Sequence, residues 1–203
     1  NLKPLPEKDT PNKKLVFFTF IFFLVPFFIL LFFMFSGFFP IGFLRLKLFK
    51  NAICFEQNKI GQKSIIQNAI TNKVFDNIKV YGEISSNNFK NELVSKLQKS
   101  PSLILCDIEG YEYKLFSLKN LELIKNEFLI IEIHPTSKSN QIKFEKNIHR
   151  YFNTREIFSN SNNFKDLPEL HNINDIDRSL LTSEGRSFIG KWLILEPKLI
   201  KQN

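Results

Sequence analysis

An apolar strand followed closely by three acids is the most informative local feature of this 203-residue chain. The segment LILCDIEGYE, residues 103–112, places Asp107 at the carboxyl end of the strand, Glu109 two residues later and Glu112 at the start of a helix. Gly110 permits a tight turn between them. Acids at the mouth of a sheet can meet a polar or cationic ligand, and the same acids also suit a turn and the first turn of a helix. Both interpretations stay open from this motif alone.

A second apolar strand ends in a histidine. In LIIEIHP, residues 129–135, Glu132 and His134 are two positions apart and therefore lie on one face of a strand. An apolar strand has little reason to carry both unless they face a cleft. His134 is the best candidate for a general base, because the unperturbed pKa of histidine is close to physiological pH. A structural histidine at a strand end is the alternative.

From these two motifs we predict that His134, Asp107 and Glu109 are catalytic residues. Together with Glu132 they would also suit a divalent cation, since carboxylate oxygens and imidazole nitrogens are common metal ligands. Their spacing in the sequence only permits such a site. We therefore predict no metal.

The rest of the chain after residue 50 alternates between strands and helices, which predicts an α/β fold with a mostly parallel sheet and flanking helices. In such a sheet ligands bind at the carboxyl ends of the strands. A long polar loop over 160–177 could be a lid or a specificity segment. The predicted strands are residues 51–56, 78–84, 102–107, 128–133, 154–158 and 191–196, and the predicted helices are 58–72, 87–99, 115–125 and 140–151.

Residues 15–44 form a hydrophobic segment without any charged residue, and 13 of the 24 phenylalanines lie between Phe17 and Phe43. An apolar stretch longer than about 20 residues is typical of a membrane helix. Pro26 and Pro40 divide the segment, and residues 27–35 are short enough for a buried first strand. A T-rich stretch of DNA translated out of frame would also look like this. All three interpretations remain open.

The organisation predicted from these patterns is a polar tail over 1–14, the hydrophobic segment over 15–44 and an α/β domain over 45–203. The formal charge is +8, but the basic residues are scattered singly, so we predict no nucleic-acid partner. Cys54 and Cys106 lack metal-type spacing and are expected to be buried core residues. We predict membrane association with the α/β domain in the cytoplasm, or a cytoplasmic protein if the segment is a strand.

Four motifs in order resemble the FkbM-type S-adenosylmethionine-dependent methyltransferases. They are CFE at 54–56, DIEGYE at 107–112, IIEIHP at 130–135 and the ending SEGR(x5)WLILEP at 183–197, and the similarity covers about residues 36–197. The resemblance implies a class I methyltransferase fold, Rossmann-like, with a mostly parallel seven-stranded sheet. It also implies S-adenosylmethionine as the cofactor and O-methylation of a small-molecule hydroxyl acceptor such as a sugar, a lipid or a secondary metabolite.

The resemblance further implies the cofactor-binding residues. Glu56 stands where the family has the acid that holds the cofactor ribose, and Gly37, 19 positions earlier, stands as the remnant of the glycine-rich loop. Asp107 is also predicted beside the cofactor. The glycine-rich motif is degenerate, since LFFMFSG at 31–37 lacks its acid and its first glycine. The alternative to an active enzyme is a membrane-anchored, catalytically decayed methyltransferase-like module or a gene fragment.

Overall fold

The computed structural model describes residues 37–97, 102–158, 172–174, 176–177 and 190–198, together with the backbone of 28–32. The strands are β1 (Phe28–Phe32), β2 (Asn51–Phe55), β3 (Ile78–Tyr81), β4 (Ser102–Cys106), β5 (Phe128–Ile133), β6 (Phe152–Phe158) and β7 (Lys191–Pro197). The helices are α1 (Phe38–Arg45), α2 (Lys59–Thr71), α3 (Glu112–Leu115), α4 (Leu118–Leu123) and α5 (Lys138–Tyr151), with a short 3₁₀ turn at Phe75–Asn77 and a π-helical turn at Lys90–Val94.

The seven strands form one sheet in the order β3-β2-β1-β4-β5-β7-β6. The first five of these are parallel, and β7 runs antiparallel to both β5 and β6. This arrangement confirms the predicted α/β class with a mostly parallel sheet. It also confirms that a first strand from the hydrophobic segment lies between the strands of Cys54 and Cys106, both of which are buried and unbridged.

The apolar strands are explained by burial on both faces of the sheet, as expected for parallel strands covered by helices. Successive side chains point to opposite faces, and they enter two separate clusters of buried apolar residues. In β2, Ile53 and Phe55 belong to one cluster, whereas Ala52 and Cys54 belong to the other. All five residues of β4 are buried.

The two longest helices of the structure form where local sequence signals agree with packing. Helix α2 begins after Asn58, whose side chain accepts hydrogen bonds from the backbone N–H groups of Ile60 and Gly61. Helix α5 begins after Ser137, whose side chain accepts a hydrogen bond from the backbone N–H of Asn140. Both agree with the helices predicted over 58–72 and 140–151.

Two helix predictions differ from the structure. Within 87–99 the described chain forms only the π-helical turn, although Ser85 and Asn88 make reciprocal hydrogen bonds of the capping type. The helix predicted over 115–125 is divided, because Phe116 leaves helical geometry with a ψ of 56° and Ser117 caps a new helix. Apolar periodicity does not reveal such a break, since Leu115 before it and Leu121 after it both join the same buried apolar cluster.

The hydrophobic segment contributes a strand and a helix to this domain. Residues 28–32 form the central strand and 38–45 form α1, so the segment as a whole is not one helix. No helix in the described part of the chain is both long and apolar enough to cross a bilayer. Residues 1–27, and most of the loop predicted as a lid over 160–177, lie outside the described residues.

Candidate functional site

Five polar side chains meet at the carboxyl ends of β4 and β5, which are neighbours in the sheet. The imidazole of His134 lies at their centre: its Nδ1 is 2.7 Å from Glu112 Oε1, and its Nε2 is 3.1 Å from Glu109 Oε2 and 3.9 Å from Asp107 Oδ1. Glu132 is the fifth member, and it lies beside Asp107. We call these five residues the acid–histidine cluster. The three residues predicted to be catalytic are therefore brought together.

A sharp turn after β4 brings the acids back over the histidine. Glu109 has a φ of 50° and Gly110 a φ of 93°, so two successive residues adopt the left-handed conformation. A glycine takes this geometry without strain, whereas a glutamate takes it at a cost. The result is that Glu109 reaches His134 Nε2 while most of its side chain stays exposed.

Glu112 is the member of the cluster whose role the sequence did not reveal. Its side chain is fully buried, and its Oε1 also accepts from the backbone N–H groups of Ile108 and Gly110, at 3.4 Å and 3.2 Å. Since Oε1 is already the acceptor in these two hydrogen bonds, the geometry favours His134 Nδ1 as the donor in the third. Tyr113 donates its hydroxyl to the backbone oxygen of His134 at 2.7 Å and fixes the strand end.

The contact of Glu112 with His134 could not be predicted from the sequence pattern. Its position at the start of α3 suits an acid in the first turn of a helix, which is a sufficient local explanation. Only the pairing of β4 with β5 places His134 next to it. No spacing along the chain indicates this contact, since the two residues are 22 positions apart.

Crowding of carboxylates changes the protonation of Asp107. Burial raises its pKa from an ordinary 3.8 to about 7, and the negative charge of Glu132, a hydrogen bond with Glu132 and the charge of Glu109 add to the effect. When His134 is protonated on both ring nitrogens, its positive charge acts in the opposite direction. Near neutral pH the Asp107 carboxyl is therefore only partly ionised.

The same geometry bears on metal binding. Asp107, Glu132 and His134 each offer one ligand atom, and these atoms lie within 4.8 Å of one another. The donor set suits a divalent cation, although acids also gather at active sites without one. The expectation that no metal is needed stays a prediction.

The raised pKa of Asp107 makes folding stability depend on pH. The folded carboxyl holds its proton up to a pH of about 7, whereas the unfolded chain releases it near 3.8. The folded state binds more protons in this interval, so this contribution to stability falls as the pH rises through it. Asparagine does not ionise, so the Asp107→Asn variant does not have this pH dependence. We expect its free energy of unfolding, relative to that of the wild type, to be higher at about pH 8 than at about pH 5, as measured by urea unfolding.

The matched control for this measurement is Asp76→Asn, because Asp76 is exposed and lies before β3, outside the cluster. Its effect on the free energy of unfolding should be the same at both pH values. An equally pH-independent effect of Asp107→Asn would show that Asp107 titrates like an ordinary carboxyl.

Glu56 lies at the same edge of the sheet, directly after β2. It is fully buried, and its Oε1 accepts the backbone N–H of Asn58 at 2.7 Å. Its Oε2 has no hydrogen-bond partner within the described part of the chain. A buried carboxylate oxygen without a donor is costly, and a ligand that brings hydroxyl groups would satisfy it.

The glycine at 61 allows Glu56 to occupy this position. A Cβ added to Gly61 would lie 2.8 Å from Glu56 Cδ and 2.9 Å from its Cγ. The first turn of α2 therefore rests directly on the carboxylate. This role of Gly61 could not be predicted from the sequence, since a glycine inside a helical pattern has no distinctive local signal.

Gly37 lies between β1 and α1 with a φ of 69°, in the left-handed region. A Cβ at this position would lie 3.1 Å from side-chain atoms of both Ile41 and Ile65. The glycine therefore allows close packing of α1 and α2, one of the roles that glycines have in nucleotide-binding loops. Its contact with a cofactor stays a prediction.

A cavity of about 170 Å³ opens beside Glu56 at the ends of three strands. Its walls are apolar and aromatic with two polar side chains at the rim, which suits a flat ring with polar edges. The lining residues are Phe55, Gln57, Glu83, Ile84, Ile108 and Tyr111.

Substitution of Gly61 should separate packing strain from helix propensity. We expect Gly61→Ala to destabilise the fold by about 1–3 kcal/mol, because the new methyl group overlaps the buried Glu56 side chain. Gly42→Ala in α1 is the matched control: nothing lies within 4 Å of its Cβ, so it should stabilise by up to about 1 kcal/mol. Stabilisation by both changes in urea unfolding would contradict the close approach.

Comparison with known proteins gives structural neighbours only. No protein-family model matches the chain, and no curated protein resembles it. A putative tRNA (m1A22) methyltransferase from Streptococcus pneumoniae superposes with a TM-score of 0.56 at 14% identity, over 96% of this chain and 73% of that one. A putative O-methyltransferase from Klebsiella pneumoniae gives 0.56 at 12% identity, over 96% and 84%. TrmK from M. capricolum, solved with S-adenosylhomocysteine, gives 0.53 at 11%, over 91% and 70%.

The chain has the class I methyltransferase fold. Its strand order and its antiparallel β7 agree with this assignment. In this fold the residues at the carboxyl ends of the parallel strands form the ligand site. Glu56, Gly37 and the acid–histidine cluster all lie at that edge, as the class I fold requires of a ligand-binding site.

Proposed function

We propose that this protein is an S-adenosylmethionine-dependent methyltransferase of the FkbM type, which methylates a hydroxyl oxygen of a small molecule. The observation that carries the proposal is the buried Glu56 carboxylate with one unsatisfied oxygen, at the edge of the sheet where His134 and its acids meet. A ribose offers two adjacent hydroxyl donors, and a carboxylate at the end of a strand is suited to accept both.

Other features of this edge support the same cofactor. The cavity beside Glu56 has the apolar and aromatic walls that an adenine ring prefers, with Ile108 and Tyr111 on one side. The Streptococcus pneumoniae neighbour has been solved with S-adenosyl-L-methionine and the M. capricolum neighbour with S-adenosylhomocysteine. When bound, S-adenosylmethionine supplies an electrophilic methyl group.

The chain's own contribution is to hold and move the proton of the acceptor hydroxyl. Glu112 keeps the His134 proton on Nδ1, which leaves Nε2 with a lone pair. In this proposal Nε2 accepts the hydroxyl proton as the oxygen becomes a nucleophile. The carboxyl groups of Asp107 and Glu109, at 3.9 Å and 3.1 Å, stabilise the positive charge that the ring then carries.

The charge of the cluster favours a neutral small acceptor. Four acids surround one histidine, and such a site repels the phosphate groups of a nucleic acid. One of the neighbours described above is, by name, a putative tRNA methyltransferase, but the ion pairs described for this cluster join His134 to the acids Asp107, Glu109 and Glu112. We therefore propose a sugar or another polyhydroxyl compound as the acceptor class.

Calorimetric titration with S-adenosylhomocysteine tests the cofactor site. We expect the wild type to bind it and Glu56→Gln to weaken binding by about 10- to 100-fold, because the amide replaces one acceptor oxygen by a donor. The change preserves the volume that Gly61 requires. Glu122→Gln is the matched control, since Glu122 is exposed on α4.

Two results would contradict the cofactor assignment. The first is no heat of binding to wild-type protein that unfolds cooperatively. The second is equal affinity in Glu56→Gln and Glu122→Gln, which would leave Glu56 as a purely structural residue.

The tautomer of His134 can be measured without knowledge of the acceptor. The chain contains only 3 histidines, so ¹⁵N-histidine labelling gives a simple NMR spectrum, and His134→Gln assigns the signal. We expect wild-type His134 to carry its proton on Nδ1. Glu112→Gln should shift it to Nε2, because the Gln amide can donate to Nδ1. An Nε2–H tautomer in the wild type would exclude Nε2 as the base.

A further inference from the structure

The edge of the sheet opposite the candidate site is basic. Four cationic side chains line a broad cavity of about 860 Å³ there, and none of the described residues that line it is acidic. Arg45 ends α1, Lys50 precedes β2, and Lys47 and Lys73 follow α1 and α2. All four are exposed. We call these four residues, together with Leu46, the basic edge.

Local geometry holds these charges in place. Arg45 donates from Nη1 to Asn72 Oδ1 at 3.2 Å, which joins the ends of α1 and α2. Lys47 and Lys73 have φ values of 56° and 58°. Glycine is the usual residue for this left-handed position after a helix. Two lysines occupy it here, one after each helix, and both line the cavity.

An apolar residue lies among the charges. Leu46 is 70% exposed, and Arg45 and Lys47 flank it. Aliphatic side chains beside lysines and arginines are typical of proteins that bind the surface of an anionic bilayer, where the aliphatic group enters the headgroup region and the cations meet lipid phosphates and carboxylates.

The central strand of the sheet also begins at this edge. Phe28, the first residue of β1, is aligned with Asn51 and Ser102, the first residues of β2 and β4. The residues immediately before it, 15–27, contain no charge and are nearly all apolar, and Lys13 and Lys14 precede them.

We propose that the basic edge docks on an anionic lipid bilayer. A single-stranded nucleic acid would need a basic groove with exposed aromatic side chains for stacking, whereas Phe49, the one aromatic residue among the described residues that line this cavity, is buried and the exposed apolar residue beside it is Leu46. Docking at the strand-start edge leaves the carboxyl edge, with the acid–histidine cluster, facing away from the lipid. The candidate site would then meet an acceptor from the aqueous phase.

Vesicle flotation of the full chain tests this proposal with a variant that should remain folded. Lys47→Gly/Lys73→Gly removes two charges and supplies the residue that the left-handed positions favour, so its thermal stability should not fall. We expect the wild type to float with phosphatidylcholine vesicles that contain phosphatidylserine. The double variant should partition about 30-fold less, and high salt should weaken the wild type in the same way.

Lys143→Gln/Lys146→Gln is the control, because both lysines are exposed on α5 and the net charge changes equally. It should bind like the wild type. Equal partitioning of the two double variants, or equal binding to pure phosphatidylcholine, would overturn the proposal. Capture by tRNA through Lys47 and Lys73, with no flotation, would also overturn it and assign the edge to nucleic acid.

Discussion

Parallel pairing of β1 with both β2 and β4 is the constraint on which the rest of the structure depends. β1 comes from the phenylalanine-rich segment and occupies the middle of the sheet. Because β1, β2, β4 and β5 run in one direction, Glu56, Gly37, Asp107 and His134 follow their strands at a single edge. Without this strand, β2 and β4 would have no common partner, and Glu56 and the acid–histidine cluster would belong to separate sheets.

The candidate site illustrates how buried carboxylates are tolerated. Glu112 is fully buried, but two backbone N–H groups and an imidazole satisfy one of its oxygens. Asp107 resolves the crowding differently, because burial and its acidic neighbours raise its pKa to about 7. Perturbed groups of this kind are common at active sites, where proton transfer requires a pKa near the working pH. Oε2 of Glu56 and Oε2 of Glu112 both lack a hydrogen-bond partner within the described residues, and Glu56 is the one whose chain neighbours, Phe55 and Gln57, line a cavity.

The two edges of the sheet have opposite chemistry. The carboxyl edge gathers four acids around His134, whereas four cations line the strand-start edge. The scattered lysines and arginines in the sequence gave no sign of such a division, since residues 45, 47, 50 and 73 come from the ends of two helices and the start of a strand. Folding brings them to one surface because both helices run antiparallel to the strands they cover.

Much of the fold was determined locally. Strands β4 and β5 could be predicted within one or two residues because a run of buried apolar residues between polar turns is a strong signal, and Asn58 marks the start of α2 by its capping chemistry. Asp107 and His134 could be predicted as candidate site residues for a similar reason, since each polar side chain follows an apolar strand. The placement of the hydrophobic segment was not determined, because a buried central strand and a membrane helix have the same composition.

Only the tertiary structure decided which of these residues touch. The Glu112–His134 hydrogen bond joins residues 22 positions apart, and the approach of Gly61 to Glu56 depends on how α2 packs over the end of β2. The basic edge is likewise created by the alignment of separate helix ends. Sequence patterns report local preference and burial, whereas contacts between neighbouring strands and helices follow from the order and direction in which the strands pair.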